Sequence, residues 1–105
     1  MFKLMKIAVL SDIHGNMEAF REVVKYLEKE QIKKVLILGD IIDYGPHSNE
    51  VITCLMDLPW EIIGNIRGNH EEAVIEQKYD MFSSERGKRC AENTRKLLNA
   101  QSWHY

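Results

Sequence analysis

"MKIAVLSDIHGN", residues Met5 to Asn16, runs through Ile, Ala, Val and Leu, then into Ser-Asp and a His-Gly-Asn turn. An almost wholly apolar run closed by turn residues suits a strand buried on both faces of a parallel sheet. Val35 to Leu38 repeats the pattern and leads into Gly39 and Asp40. Between the two, Met17, Phe20, Val23, Val24 and Leu27 fall on one helical stripe within Asn16 to Glu30, with Asn16 placed as the N-cap. The unit is a strand, helix, strand crossover.

Further along, Pro46 opens a second helical stretch, Ser48 to Leu58, and Pro59 stops it. Trp60 to Ile66 is a third strand-like run, interrupted by Gly64 and Asn65. Glu71 to Gln77 reads as a short helix and Tyr79 to Gly87 as a polar loop. Lys88 to Ala100 reads as a last helix with Cys90, Thr94, Leu97 and Leu98 on one side. This alternation predicts an α/β fold, a parallel sheet flanked by helices. A chain of 105 residues supplies one small domain and not two.

A formal net charge of -2 gives no basic field for a phosphate backbone, so strong nucleic-acid binding is not expected. Any attraction for phosphate must come from bound ions. Cys54 and Cys90 form no C-x-x-C unit and sit in amphipathic stretches, which fits reduced thiols and a cytoplasmic location. No segment is long and apolar enough to span a membrane, so no membrane partner is expected.

In parallel sheets, ligands collect outside the carboxyl ends of the strands. Three polar clusters fall there. In "SDIHGN" (Ser11 to Asn16), Asp12 and His14 are two apart, so an extended backbone would send both side chains to one side, able to share a divalent cation. In "LGDIIDYGP" (Leu38 to Pro46), Gly39 allows close backbone approach. Asp40 has two oxygens to bridge two cations ~3.5 to 4 Å apart. Asp43, further on, is placed to orient a histidine. In "RGNHEEAV" (Arg67 to Val74), Asn69 offers a hard carbonyl oxygen and His70 a general acid. Each cluster taken singly also reads as an ordinary turn. Together, Asp-x-His, Gly-Asp and Gly-Asn-His in that order at three strand ends are far more specific.

That ordered set resembles the motifs D-x-H, G-D and G-N-H-[DE] of the calcineurin-like metallophosphoesterases. "MKIAVLSDIHGN", "LGDIIDYGP" with the following "NEV", "RGNHEEAV" and "ENTRKLL" look like the bacterial phosphodiesterase branch. The resemblance implies a hydrolase acting on phosphate esters of small molecules or nucleotides, through a hydroxide activated by two divalent metals. Manganese is favoured; Fe, Zn, Ni and Co suit the same mixed oxygen and nitrogen ligands. It implies Asp12, His14 and Asp40 around the first metal, with Asp40 bridging to a second that takes Asn69. His70 would be the catalytic acid and Asp43 its orienting partner, while Asn16 and Arg67 would contact substrate.

Arg67 in "RGNHE" also looks like the protein phosphatase and dinucleoside tetraphosphate hydrolase branches, which makes these an alternative. Those branches carry Asp-Arg-Gly in the second motif, where this chain has Asp43, Tyr44 and Gly45. Tyr44 lacks a charged fork for phosphate oxygens. The family also completes its metal sites with later histidines, one after a further strand and a pair in G-H-x-H. After His70 this chain has only His104.

The resemblance thus implies that residues 1–105 are the N-terminal portion of the domain, truncated before those motifs, with an incomplete second metal site. Turnover would be weak or absent, and a catalytically silent interaction module is the other alternative. Members pack two sheets in a four-layer α/β/β/α sandwich, of which this length supplies about the first half. The sheet face that would lack its partner predicts a homodimer or strand exchange.

Overall fold

The computed structural model describes residues 4–105. Strand β1 (Ile7–Leu10) leads to helix α1 (Met17–Lys29), strand β2 (Lys34–Ile37), helix α2 (Ser48–Asp57) and strand β3 (Glu61–Asn65). Helix α3 (Asn69–Glu76), a 3-10 turn (Tyr79–Met81), helix α4 (Glu85–Leu97) and helix α5 (Ala100–His104) complete the order. The three strands are parallel in the order β1-β2-β3, with Ile7 opposite Lys34 and Lys34 opposite Glu61. Both crossovers step in the same direction across the sheet. Right-handed connections therefore put α1 and α2 on one face, where they touch.

That covered face is the core. Val35 and Ile37 of β2 are 0% exposed, packed with Phe20 and Leu27 of α1 and Val51, Ile52 and Leu55 of α2. The opposite face is open: Ile7, Val9 and Ile63 are 46%, 57% and 48% exposed. A register shift between Val35 and Leu36 sets Ile62 opposite Val35 and Gly64 opposite Leu36, so Ile63 is skipped in the pairing. A Cβ on Gly64 would stand 2.7 Å from Leu36 Cδ1, a contact that a turn of the leucine side chain would relieve.

The C-terminal helices depart from the sequence reading. Helix α4 begins at Glu85 rather than Lys88, because the Ser84 side chain accepts from Gly87 N at 3.0 Å and caps it. It ends at Leu97, and Asn99 caps α5 by accepting from Ser102 N at 2.8 Å. Asn49 of α2 fastens the break: its amide donates to Leu97 O at 2.7 Å, and its oxygen accepts from Asn99 N at 2.9 Å. Leu97 is consequently exposed, and the buried stripe of α4 runs through Ala91 and Thr94. Helix α3 starts at Asn69, earlier than Glu71, which puts Asn69 and His70 in its first turn.

Candidate active site

Past Leu10 the chain does not stay extended. Asp12 and His14 have φ of 59° and 49°, so their side chains meet by a left-handed turn of the backbone and not by strand alternation. Asp40, Asp43 and Tyr44 share that region, with φ of 56°, 75° and 69°. Five of the seven such non-glycine residues among those described lie on these two loops. Each costs about 1–2 kcal/mol, least for Asp and His, and strain of this kind gathers where function requires it.

Backbone bonds zip the first loop to the second. Asp12 N donates to Gly39 O at 3.1 Å, His14 N to Asp40 O at 2.9 Å and Gly15 N to Ile41 O at 2.7 Å. Gly39, at φ 97°, lies so close to the third loop that a Cβ would stand 2.5 Å from Gly68 N. Glu71 ties these two loops together. Its Oε1 accepts from Asp40 N at 2.6 Å and Gly68 N at 2.8 Å, and its Oε2 from Ile42 N at 3.2 Å.

Within this frame, ligand atoms of Asp12, His14 and Asp40 lie within 4.8 Å of one another. His14 Nδ1 is 3.1 Å from Ile42 O and must donate to it, so neutral His14 carries its lone pair on Nε2. That lone pair faces Asp12 Oδ1 at 3.2 Å. Two acceptors at this separation cohere only through a shared proton or cation. Adjacent donors of an octahedral ion with bonds near ~2.1 Å stand about 3 Å apart, so the donor set fits a divalent cation. The Ser11 hydroxyl, 2.5 Å from Asp12 Oδ2, holds the Asp12 carboxyl below the usual range, and His14 adds to the effect.

Asn69 presents one terminal atom of its amide to Asp40, 2.9 Å from Oδ2 and 3.2 Å from Oδ1. With nitrogen there, the amide donates to the carboxylate; with oxygen there, both residues converge as ligands on a cation. Asp40 Oδ1 also accepts from His70 N at 2.9 Å, which joins the start of α3 to the same carboxylate.

His70 and Asp43 form the buried side of the site, 6% and 0% exposed. His70 Nδ1 donates to Asp43 Oδ2 at 2.9 Å. Asp43 Oδ1 accepts from Thr94 Oγ1 of α4 at 2.8 Å, and Asp43 N donates to Ser48 Oγ at 3.2 Å. The His70 ring meets His14 edge-on at 4.5 Å between centroids, Tyr44 at 4.6 Å and Phe82 at 5.3 Å. Tyr44 also lies 5.0 Å from the His14 ring and remains half exposed at the mouth. Beside it a groove of about 420 Å³ is lined by Asp12, His14, Asn16, Tyr44 and Pro46.

The two residues assigned to substrate contact are engaged elsewhere. Arg67 pairs with Glu72 at 3.0 Å and Glu76 at 3.7 Å along α3. Asn16 lines the groove, but its oxygen accepts from Ala19 N at 3.0 Å as the cap of α1. Sequence reasoning missed Glu71 and Thr94. A glutamate two residues beyond the first helical residue is a capping-box signal that points to Glu71. Thr94 carried no such signal, its contact with Asp43 spanning 51 positions.

Residues 5–103 match the family of calcineurin-like phosphoesterases. The chain belongs to that family. Its three motif loops are the ones that converge at the carboxyl edge of the sheet. A serine/threonine phosphatase-like relative from Schizosaccharomyces pombe, named "Putative serine/threonine-protein phosphatase", is 35% identical over 102 residues, 94% of this chain and 31% of its own. An uncharacterized protein of Methanocaldococcus jannaschii is 38% identical over 78 residues, 73% of this chain and 31% of its own. The crystal structure of a metallophosphoesterase from Sphaerobacter thermophilus superposes with a TM-score of 0.70 at 26% identity, covering 96% of this chain and 39% of that one. The chain thus spans about a third of the length of the curated relatives it matches. Among the described residues no helix is long and apolar enough to cross a membrane.

Proposed function

We propose that this chain carries the cation-binding and proton-donating residues of a metal-dependent phosphoesterase acting on phosphodiesters of small molecules or nucleotides. The observation that carries the reading is the pair of facing acceptors, His14 Nε2 and Asp12 Oδ1 at 3.2 Å, beside a histidine locked to a buried carboxylate. Asp12, His14 and Asp40 would hold a first divalent ion and Asp40 with Asn69 a second, manganese being favoured. When bound, such ions neutralise phosphoryl oxygens and make water acidic enough to supply a nucleophile at neutral pH.

The chain's own residues do the rest. Asp43 keeps the His70 proton on Nδ1, which leaves Nε2 for the reacting side. As imidazolium, His70 donates the Nε2 proton to the departing oxygen, and Asp43 stabilises the charged ring in the meantime. Tyr44 closes the mouth without a positive charge, so phosphate recognition falls on the ions. Three donors for the first ion and two for the second make turnover by these 105 residues slow. Asn16 and Arg67 could reach substrate only by releasing the cap of α1 and the Glu72 pair, respectively.

Two measurements test this together: calorimetric titration with Mn(II), and hydrolysis of a chromogenic phosphodiester with Mn(II) by the parent and Asp40→Asn. The parent should bind Mn(II) and hydrolyse the diester, and Asp40→Asn should lose both. Equal binding and activity in the two proteins would reject Asp40 as a ligand. A phosphoprotein phosphatase is the second reading, favoured by the Schizosaccharomyces pombe relative; faster release from a phosphopeptide than from the diester would establish it. We further propose that the open face around Val9 and Ile63 packs on a second copy, since apolar patches above ~400 Å² are rarely left to water. Sedimentation as a monomer at all concentrations would contradict that.

A further inference from the structure

Thr94 lies inside α4 and is nearly fully buried, yet its hydroxyl is not idle. Its Oγ1 stands 2.8 Å from Asp43 Oδ1 and 3.0 Å from Cys90 O, one turn back on the same helix. One hydroxyl proton serves one of these acceptors well, and the shorter bond to a carboxylate is the stronger. The other Asp43 oxygen, Oδ2, faces His70 Nδ1 at 2.9 Å. The carboxylate is therefore held at both oxygens, by a helix on one side and by the histidine on the other. The last torsion of an aspartate is broad, so a carboxylate held at one oxygen alone swings out of line with the imidazole.

We infer that Thr94 is a positioning residue for His70: its hydroxyl fixes the Asp43 carboxylate so that His70 keeps its proton on Nδ1 and presents Nε2 to the leaving oxygen. The last clause rests on the proposed phosphoesterase reading; the tautomer does not. Neither the distance in sequence nor the helix propensity of threonine marks it for this role. Its placement does: α4 is fastened to α3 by Arg95, whose guanidinium donates to Val74 O at 2.7 Å and Ile75 O at 2.8 Å, and Thr94, one residue earlier, is where the same helix reaches the Asp43 carboxylate.

The test is nitrogen-15 NMR of the metal-free full chain labelled at histidine, comparing the parent with Thr94→Val and Thr94→Ser. Long-range nitrogen–proton correlations read which ring nitrogen of His70 bears the proton. The parent and Thr94→Ser should show the Nδ1–H form. In Thr94→Val the share of the Nε2–H form should rise about tenfold, the effect of one lost hydrogen bond. A folded Thr94→Val with the parent's tautomer ratio would overturn the inference. The parent alone gives a second reading: a Thr94 hydroxyl proton that exchanges slowly enough to be observed supports it, and one in fast exchange with water contradicts it. Because neither readout needs metal or turnover, an inactive parent would sink the hydrolytic proposal and leave this one decided on its own measurement.

Discussion

The two sides of the site are built differently. On one side, Asp43, His70 and Thr94 are buried, and both Asp43 oxygens, His70 Nδ1 and Thr94 Oγ1 have their partners inside the chain. On the other, Asp12 is exposed and His14 half-buried, and their facing atoms, His14 Nε2 and Asp12 Oδ1 at 3.2 Å, are held together only by a proton or cation between them. The difference teaches where the free energy resides: the side around His70 is finished by folding, whereas the side proposed to hold cations is assembled by the backbone and left with its ligand atoms facing one another. Left-handed backbone at Asp12, His14 and Asp40 is the cost of that assembly, and the hydrogen bonds of Glu71 hold it in place.

Substitutions should separate the two sides. The largest effect belongs to the cation side: Asp40→Asn should weaken Mn(II) binding by about a hundredfold or more in calorimetric titration. Parent-like affinity in that variant would break the comparison. Next comes the buried side, where Asp43→Ala should cost about 3 kcal/mol in urea denaturation, because it strands His70 and Thr94 without their shared acceptor. Asp12→Asn, on the exposed side, should change stability by less than about 0.5 kcal/mol, since asparagine tolerates the same backbone. Reversed magnitudes would show that the rim, not the dyad, is the structural element.

Smaller effects sharpen the picture. Glu71→Gln replaces an acceptor of three backbone N–H groups with a side chain that can turn only one oxygen to them, and should cost about 1–2 kcal/mol. Burial, and after it the charge of Asp43, pushes the Cys90 thiol above its ordinary value. The folded protein therefore holds that proton more tightly than the unfolded chain. Its contribution to stability is complete below the ordinary thiol pKa and is lost as pH rises through the higher folded value. At pH 8, alkylation of Cys90 should be slow in the parent and faster in Asp43→Asn, as followed by mass spectrometry.

The meeting of the three motifs was legible before the fold, because Asp12, His14, Asp40, Asn69 and His70 follow strand ends in short loops or in the helix turn directly after one, and the parallel topology brings such segments to one edge. The open sheet face was expected only through the family resemblance and its second sheet; the apolar run of β1 by itself reads as a strand buried on both faces, whereas Ile7 and Val9 are exposed because both crossover helices lie on the other side. What stayed hidden depended on longer-range or finer geometry. Thr94 meets Asp43 only when α4 packs against the second loop, and no local pattern encodes that contact. The split between α4 and α5 depends on Asn49, a residue of α2 distant in sequence. The left-handed turn at Asp12 and His14 replaced the extended geometry that their spacing implies, since Gly39 and Asp40 carbonyls draw the loop sideways.

The proposed convergence of Asp12, His14 and Asp40 on a divalent ion is tested most directly by Mn(II)-induced broadening in the NMR spectrum of the chain. Substoichiometric Mn(II) should erase signals of Asp12, His14 and Asp40 first, leave those of α5 intact, and lose that selectivity in His14→Ala. Uniform or absent broadening in the parent, or an unchanged pattern in His14→Ala, would contradict the account.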